Sequence, residues 1–307
     1  MITNRRTFLK TSLAGAALIG LPSWLRGSDY LSIKKLCILH TNDMHSRIEA
    51  FPANHSRYPN QGGMMRLAAK VAEIRTQEPN VLLFDAGDIF QGTPYFNEYG
   101  GELELKLMEK MKYDAVTIGN HDFDGGITHL AESVKKVPFN YLNANYGFAS
   151  TPLNGLIPPY QLFEKEGIKI GVFGIGIELA GLVAPKLYSQ TRYNDPLSAA
   201  LKISYYLKHS LHCDLVICLS HLGYSYRSKK LSDKKLALKS KNIDLIIGGH
   251  THTFLDQPTQ IKNAKNHYTT IVQAGWSALQ LGQLNYYFHS ETKSSIWQNK
   301  VHFLDNH

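Results

Sequence analysis

The sequence predicts an α/β fold whose strands are covered on both faces. Apolar runs with little alternation recur along the 307 residues, among them Val81-Leu82-Leu83-Phe84, Leu215-Val216-Ile217-Cys218-Leu219 and Leu245-Ile246-Ile247. Runs of that kind, bounded by polar residues, suit a sheet with no solvated face. Helical apolar spacing occurs between them, as at Leu67, Val71 and Ile74. A third observation concerns the strand ends. Five of the runs finish in side chains able to bind a cation, and open α/β sheets place their ligands beyond the C-terminal ends of their strands.

A leader precedes this pattern. Asn4-Arg5-Arg6-Thr7-Phe8-Leu9-Lys10 runs into the apolar stretch from Leu13 to Leu21. Paired arginines before a short Gly/Ala-rich run resemble a bacterial twin-arginine export signal, assigned here to residues 1–28, with 29–307 as one folded domain. The run is too short to span a membrane comfortably. The expected location is therefore periplasmic or otherwise extracytoplasmic, with membrane attachment only if the signal is retained. The leader carries four cations (Arg5, Arg6, Lys10, Arg26) and no acid, so the net charge of +8 falls to +4 without it. That surplus does not argue for a nucleic-acid partner, and it would not repel an anionic substrate. Cys37, Cys213 and Cys218 sit in or beside apolar runs. An odd, sparse set is no disulfide framework, and all three read as buried small hydrophobes.

In chain order, Lys35 to His40 reads as the first strand and leads into Thr41-Asn42-Asp43-Met44-His45. Asp43 and His45, two apart, share one face of an extended segment. A helix follows to about Gln77, with Leu67, Val71 and Ile74 facing the core. Asn80 to Asp85 is the second strand, and Asp88 lies just past it. Gly92 to Gly101 reads as an aromatic loop and Glu102 to Met111 as an amphipathic helix. Asp114 to Ile118 is a short strand ending in Gly119-Asn120-His121-Asp122-Phe123-Asp124, where glycine is expected to free a sharp turn.

Phe139 to Ala144 and Ile168 to Ile175 are strand-like, with a loop from Pro152 to Pro159 between them. Asp195 to His209 reads as a helix opening at Pro196. Asp214 to Ser220 is a strand that ends on His221. Tyr226 to Lys241 reads as one solvated, lysine-rich helix face. Asn242 to Ile247 is a strand entering Gly248-Gly249-His250-Thr251-His252, two histidines after a Gly-Gly turn. Thr269 to Ala274 is a last parallel-type strand. Leu281–His289 and Ser294–Leu304 alternate like an antiparallel pair with a turn near Ser290.

The strand ends add up to Asp43/His45, Asp88, Asn120/His121, His221 and His250/His252. Five such ends point to a shared metal centre. The donors are too many for one four-coordinate ion; they suit two, about 3.5–4 Å apart, bridged by a carboxylate and a hydroxide.

These five blocks, in this order, resemble the calcineurin-like metallophosphoesterases. The similarity runs from about Lys35 to about Tyr287 and is nearest to the bacterial 5′-nucleotidase / UDP-sugar hydrolase / 2′,3′-cyclic phosphodiesterase branch. The resemblance implies a four-layer α/β/β/α sandwich, with residues 29–307 as the catalytic domain. It implies that Asp43, His45 and His252 hold one divalent ion, that Asn120, His221 and His250 hold another, and that Asp88 bridges them. Mn, Zn, Co, Fe and Mg all suit this mixed O/N ligation. It implies a catalytic His121, oriented by Asp124 beside the leaving group, and 5′-nucleotidase chemistry in which a metal-bridging hydroxide attacks phosphorus. Nothing resembles a nucleophile elbow around Ser220.

Full-length members of that branch carry a C-terminal domain that holds the nucleotide base. None is expected in this chain, so a separate chain supplying such a domain is the expected partner. On the same centre, cyclic nucleotides, nucleotide sugars or a sulfur ester are alternative substrates. A metal-bound, non-catalytic subunit of a split two-chain enzyme is the reading from a different class.

Overall fold

The computed structural model describes residues 33–289 and 294–305. The leader and the turn near Ser290 lie outside the described residues. Strands are β1 Ile33–Thr41, β2 Val81–Asp85, β3 Ala115–Thr117, β4 Asn140–Leu142, β5 Tyr146–Gly147, β6 Tyr160–Lys165, β7 Ile168–Ile175, β8 Arg192–Tyr193, β9 Leu215–Ser220, β10 Leu245–Gly248, β11 Thr259–Lys262, β12 Tyr268–Val272, β13 Gln280–His289 and β14 Ser295–Phe303. Helices are α1 Met64–Gln77, α2 Pro94–Tyr99, α3 Glu102–Met111, α4 Ile127–Lys135, α5 Pro185–Tyr188, α6 Pro196–Tyr205 and α7 Asp233–Lys239.

Two six-stranded sheets form, ordered β14-β13-β1-β2-β3-β4 and β11-β12-β10-β9-β7-β6. Their central strands pair in parallel, and β13/β14, β6 and β11 add antiparallel strands at the margins. The two-residue period of a strand sorts side chains between layers. In β1, Leu36 and Ile38 turn inward with Leu82 and Phe84 to meet Ile170, Val172, Ile217 and Leu245 of the second sheet. Cys37 and Leu39 turn outward onto Leu67, Val71, Leu105 and Leu130 of α1, α3 and α4. Val216, Cys218 and Ile246 cover the other outer face with Ala200 and Leu236 of α6 and α7. Full burial of each large aliphatic side chain is worth about 1.5–3 kcal/mol, so three stacked cores hold four layers together. This is the α/β/β/α sandwich the sequence led us to expect.

Some local expectations are corrected. Residues 92–101 are not all loop: Pro94 opens α2 with its fixed φ and Gly100 closes it in the left-handed region, at φ 57°. The lysine-rich stretch is mostly loop. Only Asp233–Lys239 is helical, capped by the Ser232 side chain, and it buries Leu236 and Ala237. The helix after Asp195, whose side chain accepts from Ser198 N at 2.8 Å, ends in a π turn over Tyr206–Ser210. α4, β6 and β11 are additions to the sequence reading. The three cysteines are buried and unbridged.

The topology matters for one reason. Parallel registers set Thr41 beside Asp85, Asp85 beside Val116, and Gly248 beside Ser220. The C-terminal ends of β1, β2, β3, β9 and β10 therefore open on the same rim of the sandwich.

Candidate metal centre

Backbone hydrogen bonds stitch the strand-end loops together. Asp43 N donates to Gly87 O at 2.9 Å and His45 N to Asp88 O at 3.0 Å. His250 N donates to both carboxylate oxygens of Asp43, at 3.0 and 2.9 Å, and His121 N donates to Asp88 Oδ1 at 2.7 Å. Gly119 is there for proximity. Its φ is not positive, but a Cβ would lie 2.1 Å from Asp88 Oδ1 and 2.4 Å from Asp88 N. Gly249 is similar, with Ala86 O at 2.8 Å from the position of a Cβ. Both glycines were expected to form turns; instead they let strand-end loops touch.

Two groups of candidate ligands result, Asp43/His45/His252 and Asp88/His221/His250, with donor atoms within 4.8 Å of one another in each. His45 Nε2 lies 3.0 Å from His252 Nε2, and His252 Nε2 lies 3.3 Å from Asp43 Oδ1. A single oxygen, Asp88 Oδ2, lies 3.0 Å from His221 Nε2 and 3.9 Å from His45 Nε2, so it faces both groups. Asn120 Oδ1 lies 2.9 Å from His250 Nδ1 and joins the second. Donors about 2.0–2.2 Å from one ion stand roughly 3–4 Å apart, which these separations match.

The chemistry of the donors fits a cation as well. His221 Nδ1 lies 2.6 Å from Ala86 O and His45 Nδ1 lies 3.1 Å from Gln91 O. A carbonyl only accepts, so Nδ1 carries the hydrogen and Nε2 is left as a ligand. His221 Nε2 is buried without a hydrogen-bond partner among the described residues, although Asp88 Oδ2 is close. The pair has the separation of co-ligands and lacks the angles of a hydrogen bond.

The electrostatics are those of a buried charge cluster. Burial disfavours ionised Asp88, but His221, His45 and His121 outweigh it and hold the carboxyl low. Burial also opposes charge on His221, and Asp88 overcomes it, raising the imidazole to about 10. A cation competes with that proton for the same nitrogen. Burial, then His221, lowers His250 to about 4, and burial lowers His45. Asp43, His45, Asp88, His250 and His252 all hold φ between 48° and 69°. Left-handed backbone costs an ordinary residue roughly 1–2 kcal/mol, and strain of this kind clusters at functional sites.

His121 and Asp124 form a partly exposed pair beside the donor groups. His121 Nδ1 lies 2.7 Å from Asp124 Oδ2, with side chains 37% and 26% exposed. The His121 ring stands 5.2 Å from that of His45. Burial works against charge on His121, but Asp88 and Asp124 raise its pKa overall.

Several supporting residues carried no role in the sequence reading. Buried Asp122 accepts from Gly119 N, Ile89 N and Asp88 N at 2.7, 2.9 and 3.1 Å, tying two ligand loops to one carboxylate. Burial, with Asp88 nearby, raises it to about 7. Asp85, raised by burial to about 7, accepts from Thr41 Oγ1 and Gly87 N at 2.6 and 2.8 Å. Gln273 holds the histidine loop, donating to Gly249 O at 2.5 Å and accepting from Thr253 N at 2.9 Å. A carboxylate inside a ligand motif was the available signal for Asp122. Gln273 had none.

Residues 37–254 match the family described as Calcineurin-like phosphoesterase. The chain is 37% identical over 230 residues to a 5′-nucleotidase of Bos taurus, covering 72% of this chain and 38% of that protein. It is 33% identical over 252 residues to a snake venom 5′-nucleotidase of Crotalus adamanteus, covering 78% and 41%. The chain thus spans less than half the length of either relative. A crystal structure of a 5′-nucleotidase precursor from Thermus thermophilus is similar with a TM-score of 0.78 and 29% identity, over 88% of this chain and 55% of that one. The calcineurin-like phosphoesterase YfkN from Bacillus subtilis gives 0.71 and 25%, over 88% and 91%. The matched segment contains every strand end described above, and the chain belongs to the calcineurin-like phosphoesterase family.

Proposed function

We propose that this chain is a two-metal phosphoester hydrolase that removes phosphate from nucleoside 5′-monophosphates. The observation that carries the reading is the pair of adjacent donor groups with one Asp88 oxygen facing both. Similarity to 5′-nucleotidases supports the substrate class. Asp43, His45 and His252 would hold one cation, Asn120, His221 and His250 the second, and Asp88 both. When bound, such a pair supplies a water of lowered pKa and offsets charge on the phosphoryl oxygens.

The remaining work falls to the chain. Asp124 fixes the plane and tautomer of His121 through Nδ1, which leaves Nε2 to give a proton to the departing alkoxide. Asp122 keeps the two loops that carry Asp88 and Asn120 from separating. The His121 and His252 side chains are 37% and 38% exposed, and a separate polypeptide that covers them and holds the nucleoside is part of the proposal.

Hydrolysis of AMP, UDP-glucose and 2′,3′-cyclic AMP tests the reading, with metal content measured on the same sample. The assay is run on this polypeptide alone and on material pulled down from the native host. AMP is the preferred substrate, two equivalents of metal accompany activity, and a partner co-purifies and raises it. Metal-loaded protein with no phosphatase activity in either sample contradicts the proposal. Full activity in a pull-down holding only this chain removes the partner.

A further inference from the structure

His252 is held differently from His45 and His221. Those two rings are each pinned by a backbone carbonyl at Nδ1. Among the described residues, no hydrogen bond fixes His252 Nδ1; the ring's polar neighbours are His45 Nε2 and Asp43 Oδ1, both at its other nitrogen. Its side chain is 38% exposed, so burial does not fix the ring either. An imidazole in that position would turn about its Cβ–Cγ bond, a torsion with a broad profile.

Two ring contacts restrict it, the first being the His45 ring, which meets it edge-on with centroids 4.9 Å apart and planes at 67°. The Trp276 ring is the second, stacked parallel to His252 with an offset, centroids 5.4 Å apart and planes at 4°. The indole is itself immobilised. Buried Phe51 meets it edge-on at 5.7 Å and 63°, and the Arg47 guanidinium sits 4.2 Å from the centre of the Phe51 ring. Asn42 bonds Ala274 N and Gly275 O at 2.7 and 2.6 Å. Ser277 N donates to Asp43 O at 2.8 Å, and Gly275 N to Thr253 O at 3.0 Å. The tryptophan is therefore braced against the loops that carry Asp43 and His252.

We propose that Trp276 is the positioning residue of His252: its flat face takes the place of the N–H···O=C bond that orients His45 and His221, and aims Nε2 at Asp43 and His45. The proposal rests on His252 being a ligand of the first cation. Loss of a group that orients a ligand typically weakens metal binding about 10–100-fold, and here the loss is confined to one of two ions.

Calorimetric titration of chelator-stripped protein with Mn²⁺ tests it, on wild type, Trp276→Ala, Trp276→Phe and Trp276→Leu. Wild type takes two equivalents. Trp276→Ala binds one of them at least about 10-fold more weakly and the other unchanged. Trp276→Phe, which keeps a flat face, recovers most of the loss, and Trp276→Leu, which keeps bulk alone, does not. Equal affinities in Trp276→Ala and wild type overturn the proposal. So does rescue by leucine as complete as by phenylalanine, or equal weakening of both equivalents in every variant. A wild type that takes up no metal overturns the two-metal reading itself.

Discussion

Asp88→Asn is expected to lose both metal ions and to lower phosphoester turnover by about 10³-fold or more. Several kcal/mol of transition-state stabilisation is attributed to such ions, and each 1.36 kcal/mol is about tenfold in rate. Asparagine has almost the same shape and can still accept from His121 N through its carbonyl oxygen. Its amide then stands where Asp88 Oδ2 stood, 3.0 Å from His221 Nε2 and 3.9 Å from His45 Nε2. That replaces an anion by a hydrogen-bond donor pointed at both cations. Elemental analysis and kcat/KM on the same preparation check the outcome. Two tightly held ions with near-normal turnover would remove Asp88 as the shared ligand.

His121→Ala should have the opposite signature: both ions retained and turnover of AMP reduced about 10²–10⁴-fold, the range for losing a positioned acid. Its ring nitrogens are absent from both candidate ligand groups, and among the described residues its ring is hydrogen-bonded to Asp124. A leaving-group comparison makes the role specific. Nitrophenolate departs without a proton, so the same variant should lose far less activity on p-nitrophenyl phosphate than on AMP. Equal losses on both substrates would transfer the role of His121 from the leaving group to the phosphoryl group.

The parts of this architecture readable from the sequence are those in which chemistry dictates residue type. A buried parallel strand has to be apolar on both sides, so β2, β9 and β10 stand out. A cation has to be met by O or N donors, so Asp43, His45, Asp88, Asn120, His221, His250 and His252 stand out at strand ends, and the structure brings them together in two adjacent groups.

Most of what stayed hidden has no residue-type signature. Marginal strand Tyr160–Lys165 mixes half-buried and exposed residues with no apolar face to mark it; α4 is the exception, since Ile127, Leu130, Ala131 and Val134 do stand at helical spacing. The left-handed backbone of five candidate ligands is only weakly marked by residue type, since aspartate and histidine are enriched there but seldom adopt it. Gly119 was legible as a glycine, but its reason, contact with Asp88, belongs to a residue 31 positions away. The tie made by Asp122 and the plate made by Trp276 are likewise tertiary facts.

Every role proposed for these side chains depends on two cations lying side by side at the rim where the strands end. Anomalous diffraction from Mn²⁺-soaked crystals, collected across the metal's absorption edge, measures this most directly. It should give two peaks about 3.5–4 Å apart, one among Asp43, His45 and His252, the other among Asn120, His221 and His250, with Asp88 touching both. A lone peak, or peaks away from these side chains, would contradict it.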